Sequence, residues 1–282
     1  MNNLIITLFA YLIDRKFGEF KFIRHPVIVI GGLISFFEKH WYKDEVCRGA
    51  LLVLFVLTIV GAVAMTIQMF LLLLHPMLYI LSSSIIASMF IAHKMLRDSV
   101  LDVLSAKDKR SAISMLVSRD TQQMSESDIY KACIETYGEN LSDGVVAPLL
   151  YLLLFGLPAL VLYKAINTMD SMVGYRNERY EKYGKVAAVL DDIVNFIPSR
   201  ITAVLIMLVA KKRPLLSFYK DGKKHDSPNA GHPITAMALA LGVKLGGDTS
   251  YFGRVKQKAH FGDGRVNITQ DDVVNSLNLG KL

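Results

Sequence analysis

Between Gly49 and Ala92 the chain carries no Asp, Glu, Lys or Arg. So long an uncharged stretch has few ways to fold, because in hydrocarbon every backbone N–H and C=O must be satisfied within the chain itself. It is long enough for two spanning helices of about 20 residues each. His75-Pro76 is the natural break between them, since Pro suits the first turn of a helix. Residues 49–96 therefore read as a transmembrane hairpin, Gly49–Leu74 followed by Met77–Ala92 with an extension toward Leu96. A hydrophobic content of 52% against 20% charged residues points the same way, as does a mean hydropathy of +0.35; ordinary soluble domains are less apolar.

The remaining sequence reads as one membrane-embedded, all-α domain over residues 1–282. The net charge of +7 belongs to membrane-facing loops, and Lys211-Lys212-Arg213 marks a cytoplasmic side. No basic cluster is interleaved with aromatics, which excludes a nucleic-acid partner. Cys47 and Cys133 have no metal-type spacing and imply no disulfide framework. Met1–Ile13 is apolar without a basic start or cleavage site and reads as a retained helix ending at Asp14-Arg15-Lys16. His25-Pro26 opens a helix over Val27–Phe37, and residues 97–143 are an amphipathic region, with Arg119-Asp120-Thr121 capping its last helix. Residues 144–164 are apolar but broken by Pro148 and by Gly156-Leu157-Pro158. One full crossing, or a re-entrant hairpin turning at Gly156, would both satisfy the backbone; the charged flanks on both sides favour the hairpin. Residues 165–200 form a polar region, 195–213 an apolar helix, and 214–282 a polar loop and tail, with helices at Ile234–Leu245 and near Asp271–Leu279.

Four polar stretches carry candidate chemistry. On a helix, Glu135, Glu139 and Asp143 fall at i, i+4 and i+8 and stack on one face. Like charges so spaced repel by about 0.2–0.5 kcal/mol per pair. Such a stripe reads first as a solvated face, with Lys131 pairing to Glu135, and second as a cation site. Lys164, Asn167, Asp170 and Ser171 share a helix side, where they either cap a buried helix end or orient a substrate and hold Mg²⁺, which takes one or two carboxylates with phosphate oxygens. Asp191 and Asp192, with Asn195 and Arg200, read either as helix-dipole partners or as a metal–phosphate clamp. The loop Asp221–Pro233, with Lys223, His225, Ser227 and Asn229, suits phosphate recognition, although no P-loop motif occurs. No GxSxG or Cys–His arrangement supports covalent catalysis.

In order along the chain, Glu139-Asn140-Leu141-Ser142-Asp143-Gly144 running to Pro148, Tyr163-Lys164 through Asn167 and Asp170 to Gly174-Tyr175, Leu190-Asp191-Asp192, Pro198-Ser199-Arg200 and Asp221 through His225, Ser227 and Asn229 to Gly231 resemble the CobD/CbiB family of cobalamin biosynthesis proteins. The likeness runs from His25-Pro26 to Tyr251-Phe252-Gly253. It departs near the N-terminus, where the family's Asp-Pro is replaced by the Asp14-Arg15-Lys16 region, and at Ser199, where the family carries Ala.

The resemblance implies a multi-pass cell-membrane ligase, adenosylcobinamide-phosphate synthase. Its substrates would be the corrinoid adenosylcobyric acid and (R)-1-amino-2-propanol O-2-phosphate or a related aminoalcohol phosphate, with ATP and Mg²⁺. On that basis Glu139, Asp143 and Asp170 are assigned to Mg²⁺–ATP, and Lys164 and Arg200 to phosphoryl oxygens. Asn140 and Asn167 orient substrate, and Asp191 or Asp192 is a second metal ligand or amine base. Lys223, His225, Ser227 and Asn229 meet the aminoalcohol phosphate or nucleotide. ATP is cytoplasmic, so the site should face the cytoplasm, in contact with membrane lipid and with other late enzymes of the pathway. A non-catalytic transporter or scaffold and an AmpE-like signalling protein are the rivals. Transporters place ionisable groups inside their spans, and Gly49–Ala92 holds no acidic side chain, Lys or Arg.

Overall fold

The computed structural model describes residues 2–20, 24–175, 177–251 and 253–280; Met1 and Phe252, named above, lie outside them. Among the described residues the chain is helical with a few short strands. The helices are α1 (Asn2–Phe17), α2 (Pro26–Trp41), α3 (Val46–Leu72), α4 (Pro76–Ser88), α5 (His93–Ser105), α6 (Lys109–Ser114) and α7 (Glu126–Leu141). A π turn, Ser142–Val146, leads to α8 (Ala147–Phe155), α9 (Leu157–Val173), α10 (Lys185–Val194), α11 (Phe196–Val209), α12 (Phe218–Gly222), α13 (Gly231–Leu241) and α14 (Gln270–Leu279). Strands β1 (Leu245–Gly246) and β4 (His260–Phe261) pair antiparallel, as do β2 (Thr249–Tyr251) and β3 (Arg254–Lys256).

The chain divides into two compact units, each discontinuous in sequence. The first comprises Met1–Lys94 and Ala147–Val194, the second Met95–Val146 and Asn195–Leu282. In the first, α3 packs on α9 and α10, α1 on α4 and α8, and α8 on α9. Leu52, Val56, Leu160 and Met169 are fully buried there, and for a helix surrounded by lipid it is their close packing, not removal from water, that holds the helices together. In the second, α13 packs on α7, α11 and α12, and α14 on α7, around Ile134, Tyr137, Met237 and Val273.

Two helices are long and apolar enough to cross a membrane, Val46–Leu72 and the run Pro76–Ser105. The outward side chains of α3, such as Leu54, Met65, Met69 and Phe70, are exposed and apolar. A patch of that kind is untenable in water and suits a hydrocarbon surround. The second arm departs from the expected uninterrupted Met77–Ala92, because helix α4 ends at Ser88 and a turn over residues 89–92 precedes α5. The reason lies in α1. Asp14 is buried, and its Oδ2 accepts the N–H of His93 at 2.9 Å and of Lys94 at 3.3 Å. A carboxylate on orphan N–H groups stabilises a new helix start. Asp14 thus lies inside α1, whose last turn carries Arg15 and Lys16 before the helix ends at Phe17, one residue beyond the expected Asp14-Arg15-Lys16 end.

The apolar segment after the π turn is a hairpin. Gly156 sits at φ +82°, open to glycine and strained for other residues, with Pro158 in the first turn of α9. The rings of Tyr151 and Tyr163 stack 5.0 Å apart; in one continuous helix twelve residues would separate them by about 18 Å. The chain reverses. At nine residues, α8 reaches only about 14 Å and cannot span a bilayer core of about 30 Å.

Two local expectations need correction. Helix α7 is not capped by Arg119-Asp120-Thr121 but by Ser125, whose Oγ accepts the Asp128 N–H while Asp128 accepts the Ser125 N–H. Asp120 accepts instead from Ser250 Oγ and Gly253 N–H. Helix α13 begins at Gly231 and stops at Leu241, where Gly242 turns left-handed, so Leu245, expected to be the last helical residue, instead joins Gly246 in β1.

Candidate functional site

In the first unit the polar candidates gather on α9 and α10. Lys164 Nζ donates to Asn167 Oδ1 at 3.2 Å, and Asn167 Nδ2 donates to Asp191 Oδ1 at 3.3 Å. Asn167 and Asp191 are buried, while Lys164, Asp170 and Asp192 are half-buried. A buried carboxylate must be hydrogen-bonded to stay charged, and the amide of Asn167 ties Asp191 to the ammonium of Lys164. The next turn is set by Gly174, where a Cβ would stand 2.0 Å from Asp170 Oδ1. Asp170 therefore holds its conformation only because residue 174 lacks a side chain.

His25, which the sequence marks only as a helix start, feels the charge of Lys164. Its Nδ1 accepts the Val27 N–H at 3.3 Å. Burial pulls its imidazole below the usual range; Glu19 opposes this, and the charge of Lys164 adds to it.

In the second unit the acidic stripe is broken up. Glu135 is not solvated, and its partner is not Lys131, which pairs with Asp128 at 3.1 Å. Glu135 Oε2 accepts from Arg119 Nη2 at 2.7 Å, and Oε1 accepts the Gly246 N–H at 2.6 Å. Burial alone would lower the Arg119 guanidinium, but the Glu135 charge and hydrogen bond outweigh it and raise it, with Glu139 contributing. Glu135 is thus a structural strut between α7 and β1. The π turn takes more residues per turn than an α-helix, so Asp143 leaves the line of Glu135 and Glu139. Glu139, Asn140 and Asp143 are half-buried, and Asn140 Nδ2 donates to Thr136 O at 2.9 Å.

Arg200, on α11, is a clamp. Its Nη1 donates to Phe196 O, Ser199 Oγ and Asn229 Oδ1 at 2.8, 3.0 and 2.7 Å, and Nη2 donates to Pro228 O at 2.9 Å. Its guanidinium lies 3.7 Å over the Phe196 ring. The loop beyond is equally self-engaged. Ser227 Oγ accepts the N–H of Asn229 and Ala230, and His225 Nδ1 accepts the Ser227 N–H at 3.0 Å. Lys223 is exposed, with Nζ 5.0 Å over Tyr219.

Two features of this unit were missed by sequence reasoning. His232 is fully buried, stacked on Tyr219 at 5.1 Å, and neither ring nitrogen has a hydrogen-bond partner among the described residues. Burial, aided by the charges of Arg200 and Lys223, pushes its imidazole down to about 4. A His before Pro233 carries no periodic signal that marks it. The other is a polar cavity of about 710 Å³ lined by Arg119, Gln122, Asp128, Lys131, Asp248 and Ser250, none of them a predicted site residue; their distance in sequence hides it.

Glu139, Asn140, Asp143, Arg200, Lys223, His225, Ser227 and Asn229 belong to the second unit, and Lys164, Asn167, Asp170, Asp191 and Asp192 to the first. Among the described residues no three His, Cys, Asp or Glu side chains form a ready-made metal cage. Mg²⁺ seldom has one, usually keeping one or two carboxylates with water and substrate phosphates.

A family profile described as CobD/Cbib protein matches residues 7–280. The chain is 38% identical to the "Cobalamin biosynthesis protein CobD" of Halalkalibacterium halodurans, over 98% of this chain and 91% of the relative. It is 38% identical to the protein of that name from Geobacter metallireducens, over 92% and 86% respectively. It is 41% identical to the "Probable cobalamin biosynthesis protein CobD" of Pyrococcus furiosus, over 84% and 82%. No solved structure matches it.

Proposed function

Because the chain belongs to the CobD/CbiB family, whose role lies in cobalamin biosynthesis, we propose that it is the ATP-dependent amide ligase of that pathway. It joins the propionate carboxylate of adenosylcobyric acid to the amine of (R)-1-amino-2-propanol O-2-phosphate or a related aminoalcohol phosphate. The observation that carries this reading is the Lys164–Asn167–Asp191 hydrogen-bond chain. It places a cation, an amide and a carboxylate in a chain of contacts on two packed helices, α9 and α10.

A carboxylate does not condense with an amine until its oxygen becomes a leaving group. The simplest route transfers a phosphoryl group from ATP to that oxygen. The amine then attacks the acyl carbon, the C–O bond to phosphate breaks, and the amine proton passes to a base. Phosphoryl transfer asks the protein mainly for positioning and charge neutralisation. In this reading Lys164 neutralises phosphoryl oxygens and Asn167 orients the reacting carboxylate. Asp191 accepts from Asn167 and fixes its amide in place, and Asp192 takes the amine proton. Asp170 in the first unit, and Glu139 and Asp143 in the second, each offer the hard oxygen donors that Mg²⁺ prefers; the ion when bound would supply charge neutralisation of the nucleotide. Asn140 orients substrate, and Lys223, with His225 and Ser227, meets the aminoalcohol phosphate. Arg200 and Asn229 shape that loop. Since ATP is cytoplasmic, Glu139 and Asp170 must each be reachable from the cytoplasm.

Purified protein in detergent, given adenosylcobyric acid, aminopropanol phosphate, Mg²⁺ and ATP, is expected to yield the condensed product by mass spectrometry. Glu139→Ala and Asp170→Ala are expected to abolish it. No product from the wild type defeats the ligase reading, and undiminished product from both variants defeats the site assignment.

A further inference from the structure

Facing stripes of α2 and α3 enclose an apolar groove in the first unit. Val29, Gly32 and Phe36 form one wall, spaced at helical intervals, and Ile59, Val63 and Ile67 form the other; Leu157 and Val161 of α9 close one end. Its volume of about 590 Å³ lies within the range of small-molecule sites. The groove runs along α3, a helix long and apolar enough to cross a membrane, so hydrocarbon chains are its natural neighbours. At its edge stands Arg24, exposed and without an ion pair to a described residue. Lys164 lies one turn beyond Val161 on α9, so a second cation follows the apolar walls. Apolar walls with a cationic rim fit one class of molecule.

We propose that this groove seats an acyl chain of an anionic phospholipid, with the headgroup phosphate at Arg24. The floor owes its depth to Gly32. A Cβ built there meets nothing within 4 Å, so a larger side chain fills the groove without displacing backbone. Val63 is half-exposed on the opposite wall and offers the same test from the other side. The proposal does not depend on the ligase reading.

The full chain is reconstituted in nanodiscs of equal phosphatidylglycerol and phosphatidylcholine, released in mild detergent, and weighed intact by native mass spectrometry. Wild type is expected to retain one phosphatidylglycerol per chain. Gly32→Phe and Val63→Trp are each expected to lower the retained lipid about tenfold, since the displaced methylenes carry most of the binding. Met69→Trp, on α3 outside the groove, is expected to change nothing. Arg24→Gln is expected to lower the preference for the anionic lipid about fivefold. Equal retention by wild type and by whichever groove variant keeps the wild-type circular dichroism overturns the proposal. So does a lipid-free dimer, which would make a second chain the occupant. Equal retention of both headgroups by wild type overturns the role of Arg24.

Discussion

In the first unit Asn167 links Lys164 to Asp191, whereas in the second Arg200 of α11 donates to its own helix and to the loop at Pro228 and Asn229, where Ser227 accepts the Asn229 N–H. Both sets combine a cation, an amide and small polar groups, and from sequence they look alike. The difference is in the acceptors. A cation held by a side-chain amide can exchange that partner for a ligand as the side chains turn. A guanidinium with two backbone carbonyls and an amide on it is already part of the scaffold. The first cluster is built for exchange of partners, and the second mostly for holding a loop.

The comparison can be broken by mutation. The largest effect is expected at Glu135, because removing one member of a buried ion pair leaves the other uncompensated. Glu135→Ala is expected to cost about 3–5 kcal/mol of stability, seen as lost thermal unfolding cooperativity in detergent. Asn167→Ala should leave the fold intact and lower ligase turnover about 100-fold, or ~2.7 kcal/mol of transition-state stabilisation; a variant that turns over normally makes the chain merely structural. Arg200→Ala is expected to lower stability by about 2 kcal/mol through lost charged hydrogen bonds, with Arg200→Lys restoring little because the fork geometry is gone. An unchanged melting temperature, with KM for the aminoalcohol phosphate raised, reverses the contrast between the two clusters.

The smallest effect concerns pH. His232 titrates near 4 in the folded chain against an ordinary 6.5, so between those values the unfolded chain binds the extra proton. Its contribution is fully present above the ordinary value and is lost as pH falls through that window. Going from about pH 7.5 to about pH 5.5 should cost about 1 kcal/mol of stability. His232→Phe, which keeps the stack on Tyr219, is expected to flatten that part of the profile in unfolding measurements.

Elements defined by local periodicity were legible in the sequence. The uncharged run became α3 and the α4–α5 segment, and Gly156-Leu157-Pro158 became the turn of a hairpin, because apolar length, Gly and Pro act within a few residues. The family likeness carried the order of polar motifs. What escaped depends on partners far along the chain. Nothing near Glu135 announces Arg119 and Gly246 as its partners, and nothing near Asp14 announces His93. The π turn was hidden because Ser142–Val146 continues a helical pattern and only the backbone reveals the changed phase. The division into two units was hidden for the same reason, since each is assembled from stretches that are not adjacent in sequence.

The bond from Asp14 to His93 also has a consequence in time. The two residues are 79 positions apart, and at about 5–20 residues per second of synthesis the donors emerge roughly 4–16 s after the acceptor. During that interval α1 carries a carboxylate whose backbone partners do not yet exist. The Asp14 carboxylate therefore gains these two backbone partners only after the turn at residues 89–92 has been synthesised, and the bond that ties α1 to the start of α5 is a late one in the life of the nascent chain.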